Sequence, residues 1–354
     1  MQLEPKISAR LRAPAYAAQP QAMFLSTIQS TIPATIPATR RPGITQSQKI
    51  LWPSNAARER RGFACRIWRE WFRTGFVSLA MLALLAAGGA FGQSLSGPES
   101  LEYDAANTRY LISNRGAGQI LARASNGTLS VFTDDPVQPA GMEIVNELVF
   151  VNDQGRVRGY RLSNAERVMD YPIPGATFLN GMASDPVGQK LWVTDFTNGR
   201  LIQVDISQLA TPSHQVLVPD TGFSANGVWF DRLSQRLLVV SWGSNAGIFS
   251  YGLVQGGFTR LVSTTLGNFD GITADCDGQI YVSAWSAQGI RRFARPLVND
   301  SLPEVFVSGL SNPADITFNA ALGEIASPNA GNSSLSFHAT TCAGVLFRDR
   351  FEPR

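Results

Sequence analysis

Histidine, cysteine and charge are all scarce in this chain of 354 residues. The two histidines, His214 and His338, argue against chemistry built on a His–His base. Of three cysteines, Cys65 lies near the front, leaving Cys276 and Cys342. These two form either a bridge or a pair of buried thiols, and geometry decides between them. No helical hydrophobic period occurs after residue 92, which removes most α/β folds. A clustered basic surface is also missing from the body of the chain. Residues 1–92 hold 12 Lys/Arg against 3 Asp/Glu, which leaves 18 against 24 of the totals 30 and 27 for residues 93–354. The two parts thus carry +9 and −6. A mildly acidic body excludes nucleic acid as a partner and tolerates a bound cation.

Charge disappears altogether between Gly75 and Gly92, directly after a basic run from Arg66 to Arg73. A basic flank, an apolar stretch and small residues at Ala90 and Gly92 make a secretory signal, with cleavage near Gly92–Gln93. The alternative is an uncleaved anchor, since 18 such residues just span a bilayer; only then is a membrane a partner. Either reading makes the body periplasmic or secreted, in an oxidising compartment. Residues 1–65 are rich in Ala, Pro, Thr, Ser and Arg, and read as a disordered leader or as sequence upstream of the true start. The expected layout is a leader over 1–65, a signal or anchor over 66–92, one domain over 93–345 and a short tail over 346–354.

What is present in the body is repetition. Phe269-Asp-Gly-Ile-Thr-Ala-Asp-Cys-Asp-Gly-Gln-Ile-Tyr-Val-Ser-Ala-Trp285 reads as strand, polar turn and returning strand. The same grammar recurs from Asn180 to Asp195 and from Asn226 to Trp242. Taking one opening position per copy gives six anchors: Glu99, Ala140, Asn180, Asn226, Asp270 and Ala314. They are spaced by 41, 40, 46, 44 and 44 residues. Each interval has room for four short strands, and the second strands, such as Leu148–Val151 and Leu237–Val240, are apolar on both faces as in strands buried between sheets. Periodic four-stranded antiparallel units of this length predict an all-β fold, a six-bladed β-propeller.

Innermost strands of a propeller run along a central channel, so their first residues meet at one end of it. The anchors then form a ring with two carboxylates, Glu99 and Asp270, and two carboxamides, Asn180 and Asn226, while Ala140 and Ala314 leave room. Converging oxygens suit a hard divalent cation, Ca²⁺ first, with Mg²⁺, Mn²⁺ or Zn²⁺ as alternatives. Asn-Gly and Asp-Gly are turn chemistry far more often than ligands; their common phase raises the metal reading. The second strands return to the same end, bringing Arg115, Asp195, Trp242 and Trp285 as candidate substrate contacts. The bland alternatives are solvated charges for Arg115 and Asp195, and packing between blades for the tryptophans.

Gly97-Pro-Glu99-Ser-Leu, Asn226-Gly-Val-Trp-Phe-Asp231 and the Asp270-Gly segment resemble the metal-binding motifs of the gluconolactonase and regucalcin family of six-bladed propellers. The likeness runs through the whole repeat region and leans towards secreted bacterial members. It implies a cation held by Glu99, Asn226 and Asp270, with Asn180 near metal and substrate, and hydrolysis of sugar lactones. The sequence departs from the family where a substrate-binding arginine is expected beside Asn180, because Phe178 and Leu179 stand there.

The expected function is therefore metal-dependent hydrolysis of a lactone or related cyclic ester, with a small sugar-derived molecule as substrate. Asp270 and Asn180 are the candidate catalytic residues, with Asp195 as reserve base. The competing expectation is a non-catalytic propeller that binds a ligand or a protein, since this fold serves many functions.

Overall fold

The computed structural model describes residues 92–342, apart from 186 and 300. The expectations for the leader, the signal segment and the tail beyond residue 342 lie outside the described residues. Between Pro98 and Ala339 the chain forms six antiparallel sheets in sequence order, a six-bladed β-propeller. Among the described residues, regular helix is confined to one 3-10 turn at Arg115–Ala117. The first strands are Pro98–Asp104, Pro139–Val145, Leu179–Ser184, Ala225–Asp231, Phe269–Ala274 and Thr317–Asn319. They pack against one another around the axis. Burial is greatest in the second strands, such as Leu148–Asp153 and Ile280–Ala284, and falls off towards the fourth.

Apolar clusters fill the gaps between neighbouring blades. Met142, Val149 and Tyr160 meet Leu111 between blades 1 and 2, and Phe150, Leu179 and Val193 meet between blades 2 and 3. The series continues with Trp192 and Phe230, then Val240 and Phe269, then Tyr281 and Ile316. Leu101, Ile112 and Ala326 close the ring between blades 6 and 1. Burying both faces of every second strand is what the doubly apolar sequence runs require.

Five blades have the expected four strands, but among the described residues blade 6 has three, ending at Ser334–Ala339. Among the described residues no strand is shared between the first and last blades, and side chains make most of the seam. Tyr110 donates its hydroxyl to Glu324 Oε1 at 2.8 Å and accepts from Asn319 Nδ2 at 2.7 Å. Ser100 Oγ donates to Asp315 Oδ2 at 3.0 Å, and Asp315 N donates to Glu99 O at 2.8 Å. Of the two states left open for the cysteines, the structure has the bridge. Cys276, in the turn of blade 5, is disulfide-bonded to Cys342, just past blade 6, with Cα atoms 5.9 Å apart.

Every first strand breaks its ladder at the anchor. Two residues, anchor and successor, face one residue of the second strand: Glu99 and Ser100 face Ser113, and Asn180 and Gly181 face Thr194. The same extra residue occurs at Ala140, Asn226 and Asp270, and blade 6 slips between Pro313 and Thr317. Such bulges free backbone groups that must find partners when buried. Thr194 Oγ1 accepts from Gly181 N at 2.8 Å and donates to Asn226 O in the next blade. Ser283 Oγ likewise joins Gly271 N to Ala314 O, both at 2.7 Å. Asn152 Nδ2 reaches Asn180 O and Gly181 O. The bulge is thus tied from blade to blade by small polar side chains.

Candidate functional site

The anchors form the expected ring in phase, and all six are buried. Asn180 Nδ2 donates to Asn226 Oδ1 at 2.5 Å, and Asn226 Nδ2 donates to Phe269 O at 3.2 Å. Glu99 takes a hydrogen bond from Asn180 and has Arg115 nearby. Burial lifts the Glu99 carboxyl above its ordinary value, against the opposing pull of Arg115 and Asn180. Asp270 is raised well above the usual carboxylate range, first by burial, then by the charges of Glu99 and Asp315. Trp285 and Arg115 act in the other direction. Trp285 faces this carboxylate, yet neither its Nε1 nor Asp270 Oδ1 completes a hydrogen bond of good geometry.

A second ring stands over the first, built from residues just past the second strands. Arg115 comes from blade 1, and Phe196, Trp242 and Trp285 come from blades 3, 4 and 5. Trp242 and Trp285 meet edge to face with centroids 4.9 Å apart, and Phe196 lies 6.0 Å from Trp242. Phe178 joins the arc at 5.2 Å from Phe196. Arg115 crosses blade 2, whose anchor is only Ala140, and sets its Cζ 4.2 Å from the Phe178 centroid. Its Nη1 is buried without a partner. Arg115, delivered from blade 1, is thus stacked on Phe178, two residues before Asn180.

Asp195 is buried but engaged elsewhere. Arg200 reaches its Oδ2 at 2.5 Å, and Asn198 donates to both of its oxygens. The structure thus brings together Glu99, Asn180, Asn226, Asp270, Arg115, Trp242 and Trp285, and sets Asp195 into a hairpin turn. Sequence reading missed Phe178 and Phe196 as site residues; for Phe196 the available signal was its place one past Asp195, matching Trp285 one past Ala284.

The donor set fits a hard divalent cation. Two buried carboxylates and two carboxamides converge, and Asp270 Oδ1 has no partner. Such a cation takes oxygen ligands, and its charge would offset the repulsion that raises Asp270. Arg115 supplies part of that compensation within the chain. A grouping of Cys276, Asp277 and Cys342 also has metal-ligand spacing, but its sulfurs are joined to each other.

A polar floor lies under an aromatic arc at one mouth of the propeller channel, a candidate small-molecule site. No family profile and no curated protein matches the chain. Solved structures do. A gluconolactonase from Xanthomonas campestris is 15% identical, with a TM-score of 0.57 over 70% of this chain and 86% of that one. A putative gluconolactonase shows 18% identity and a TM-score of 0.54 over 69% and 90%. A luciferin-regenerating enzyme shows 13% identity and a TM-score of 0.55 over 68% and 85%. At these identities the likeness is one of fold: the chain is a gluconolactonase-like six-bladed propeller.

Proposed function

We propose that the protein is an exported, divalent-metal-dependent hydrolase of a lactone or related cyclic ester. The observation that carries this is the phased ring of Glu99, Asn180, Asn226 and Asp270, with an orphaned oxygen on Asp270, beneath Arg115 and the aromatic arc. Glu99, Asn226 and Asp270 would hold the cation. When bound, it supplies Lewis-acid polarisation of a carbonyl and acidifies water.

The remaining steps belong to side chains. Arg115 Nη1, buried and unpartnered, holds the acyl oxygen as negative charge develops on it. Asn180 orients the ester beside it. Asp270, as the carboxylate, takes a proton from the attacking water and returns it to the ring oxygen as the ester C–O bond breaks. Phe178, Phe196, Trp242 and Trp285 flank the ring of the substrate and exclude water. Export accords with the Cys276–Cys342 bridge, which persists in oxidising compartments.

The test is calcium titration by calorimetry of the wild type and Asp270→Ala, followed by a lactone panel. Binding that vanishes in the variant, together with metal-dependent turnover, is expected. Absence of binding by Ca²⁺, Mg²⁺, Mn²⁺ and Zn²⁺ would remove the metal reading. Metal binding without turnover of any lactone would turn the site into a ligand-binding one.

A further inference from the structure

The other end of the channel is also built. Below the anchors, the bulge's second residues are Ser100, Gly141, Gly181, Gly227, Gly271 and Asp315. A Cβ on Gly141 would stand 2.2 Å from Asn180 O, and one on Gly227 2.4 Å from Asp270 O. Neighbouring first strands therefore touch through their backbones at this level, and the channel has a waist. Beneath it opens a cavity of about 370 Å³, within the range of roughly 300–1,000 Å³ usual for small-ligand pockets.

Residues three past the anchors ring this cavity, among them Glu102, Glu143, Trp229, Thr273 and Thr317, and Asp315 faces it from the waist. The lining is polarised. The carboxylates come from blades 1, 2 and 6, while Trp229 and Thr273 come from blades 4 and 5, across the axis. Each carboxylate has a hydroxyl donor: Ser184 Oγ lies 2.9 Å from Glu143 Oε1, Ser100 serves Asp315, and Thr317 serves Glu102. The charged neighbours acting on Glu102 and Asp315 are other acids. At the outer end Asp185 and Arg232 line the cavity with opposite charges. Thr273 adds an independent sign of a ligand: it is 6% exposed, lines the cavity, and its hydroxyl has no hydrogen-bond partner among the described residues.

We propose that this lower cavity binds a small organic cation, a primary or quaternary ammonium. The cationic head lies towards Glu102, Glu143 and Asp315, and the apolar part lies against Trp229. Aromatic faces and carboxylates attract such cations together, whereas anions are repelled. A bare inorganic ion would leave the aromatic and aliphatic wall without a role. The site does not depend on the metal reading above the waist.

The experiment is calorimetric titration of the full protein, saturated with calcium, with n-butylammonium and tetramethylammonium. n-Butanol and butyrate are the neutral and anionic controls. Expected is saturable binding of the ammonium ions and none of the controls. Glu143→Gln and Trp229→Leu should each weaken n-butylammonium at least tenfold, while Asp270→Asn changes its affinity less than twofold. If Trp229→Leu does not fold, Glu143→Gln decides. The proposal falls if neither ammonium binds at millimolar concentration, or if Glu143→Gln binds unchanged. It also falls if Asp270→Asn loses binding equally, which would put the cation above the waist. Competition by calcium in Asp270→Asn would make the cavity an inorganic cation site and overturn it as well.

Discussion

Replacing both Cys276 and Cys342 with serine probes how the ring is fastened. The bridge closes a loop of 66 residues that holds most of blade 5 and all of blade 6. Cross-linking removes chain entropy from the unfolded state, and for a loop of this length the effect is about 4.4 kcal/mol. Local packing is nearly kept, because Asp277 N, 3.2 Å from Cys342 Sγ, can donate to a serine oxygen instead. The change thus isolates the covalent link. Against a total of ~5–15 kcal/mol for a folded domain, this is a large share, and the midpoint of melting should fall by roughly 9–18 °C. Guanidinium unfolding of the wild type, the reduced wild type and the double variant measures it, and the last two should coincide. A loss below about 1 kcal/mol would refute the reasoning. It would mean that blades 5 and 6 stay associated in the unfolded chain, so that the bridge restrains little.

Three further outcomes are expected. Gly227→Ala, whose Cβ would meet Asp270 O at 2.4 Å and Gly271 Cα at 2.9 Å, should cost at least about 2 kcal/mol and weaken calcium binding; an unchanged urea midpoint would remove the waist. Tyr110→Phe strips the seam of its shared hydroxyl and leaves Glu324 and Asn319 short of a partner, a loss of about 1–3 kcal/mol in the same assay. Glu143 and Asp315 are each pushed up to about 7, chiefly by burial. Carboxyls with raised folded values stabilise most below their unfolded values and lose that contribution as pH rises through the folded ones. The cation-free protein should therefore melt higher at about pH 6.5 than at about pH 8, with His338, lowered by burial, opposing this only below its ordinary value of about 6.5. Saturating n-butylammonium should flatten the profile; a flat profile without it would show that these carboxyls are solvated.

The repeat made the fold legible, because turn and apolar run recur in step, and a ring follows from closure alone. Glu99, Asn180, Asn226 and Asp270 were found for the same reason. The Gly successors of the last three were harder to interpret. Asn-Gly and Asp-Gly suggest a turn, whereas here the glycine sits inside a strand, where the neighbouring blade's backbone leaves no space for a side chain. Small polar residues opposite the bulge in five of the six second strands, Ser113, Asn152, Thr194, Ser283 and Ser327, were its sequence trace, while blade 4 has Val240 there. Phe178 and Phe196 were missed because a single sequence cannot tell a half-exposed aromatic at a mouth from one in a core. Asp195 shows the converse: its Arg200 partner, five residues on, marked it as part of a turn, as with Asp104 and Arg109. The lower cavity was hidden because Glu102 and Glu143 lie 41 residues apart in sequence, and only the axis makes them neighbours.

The bulge recurs whatever residue occupies it: glutamate, alanine, asparagine, asparagine, aspartate and alanine all sit on the same backbone shape. Shape and content are therefore separate variables at this mouth. Exchanging one anchor alters one sixty-degree sector of the opening, except where anchors bond each other, as Asn180 does with Glu99 and Asn226. The chain thus carries six letters on a fixed page, of which Glu99, Asn180 and Asn226 are read as one word.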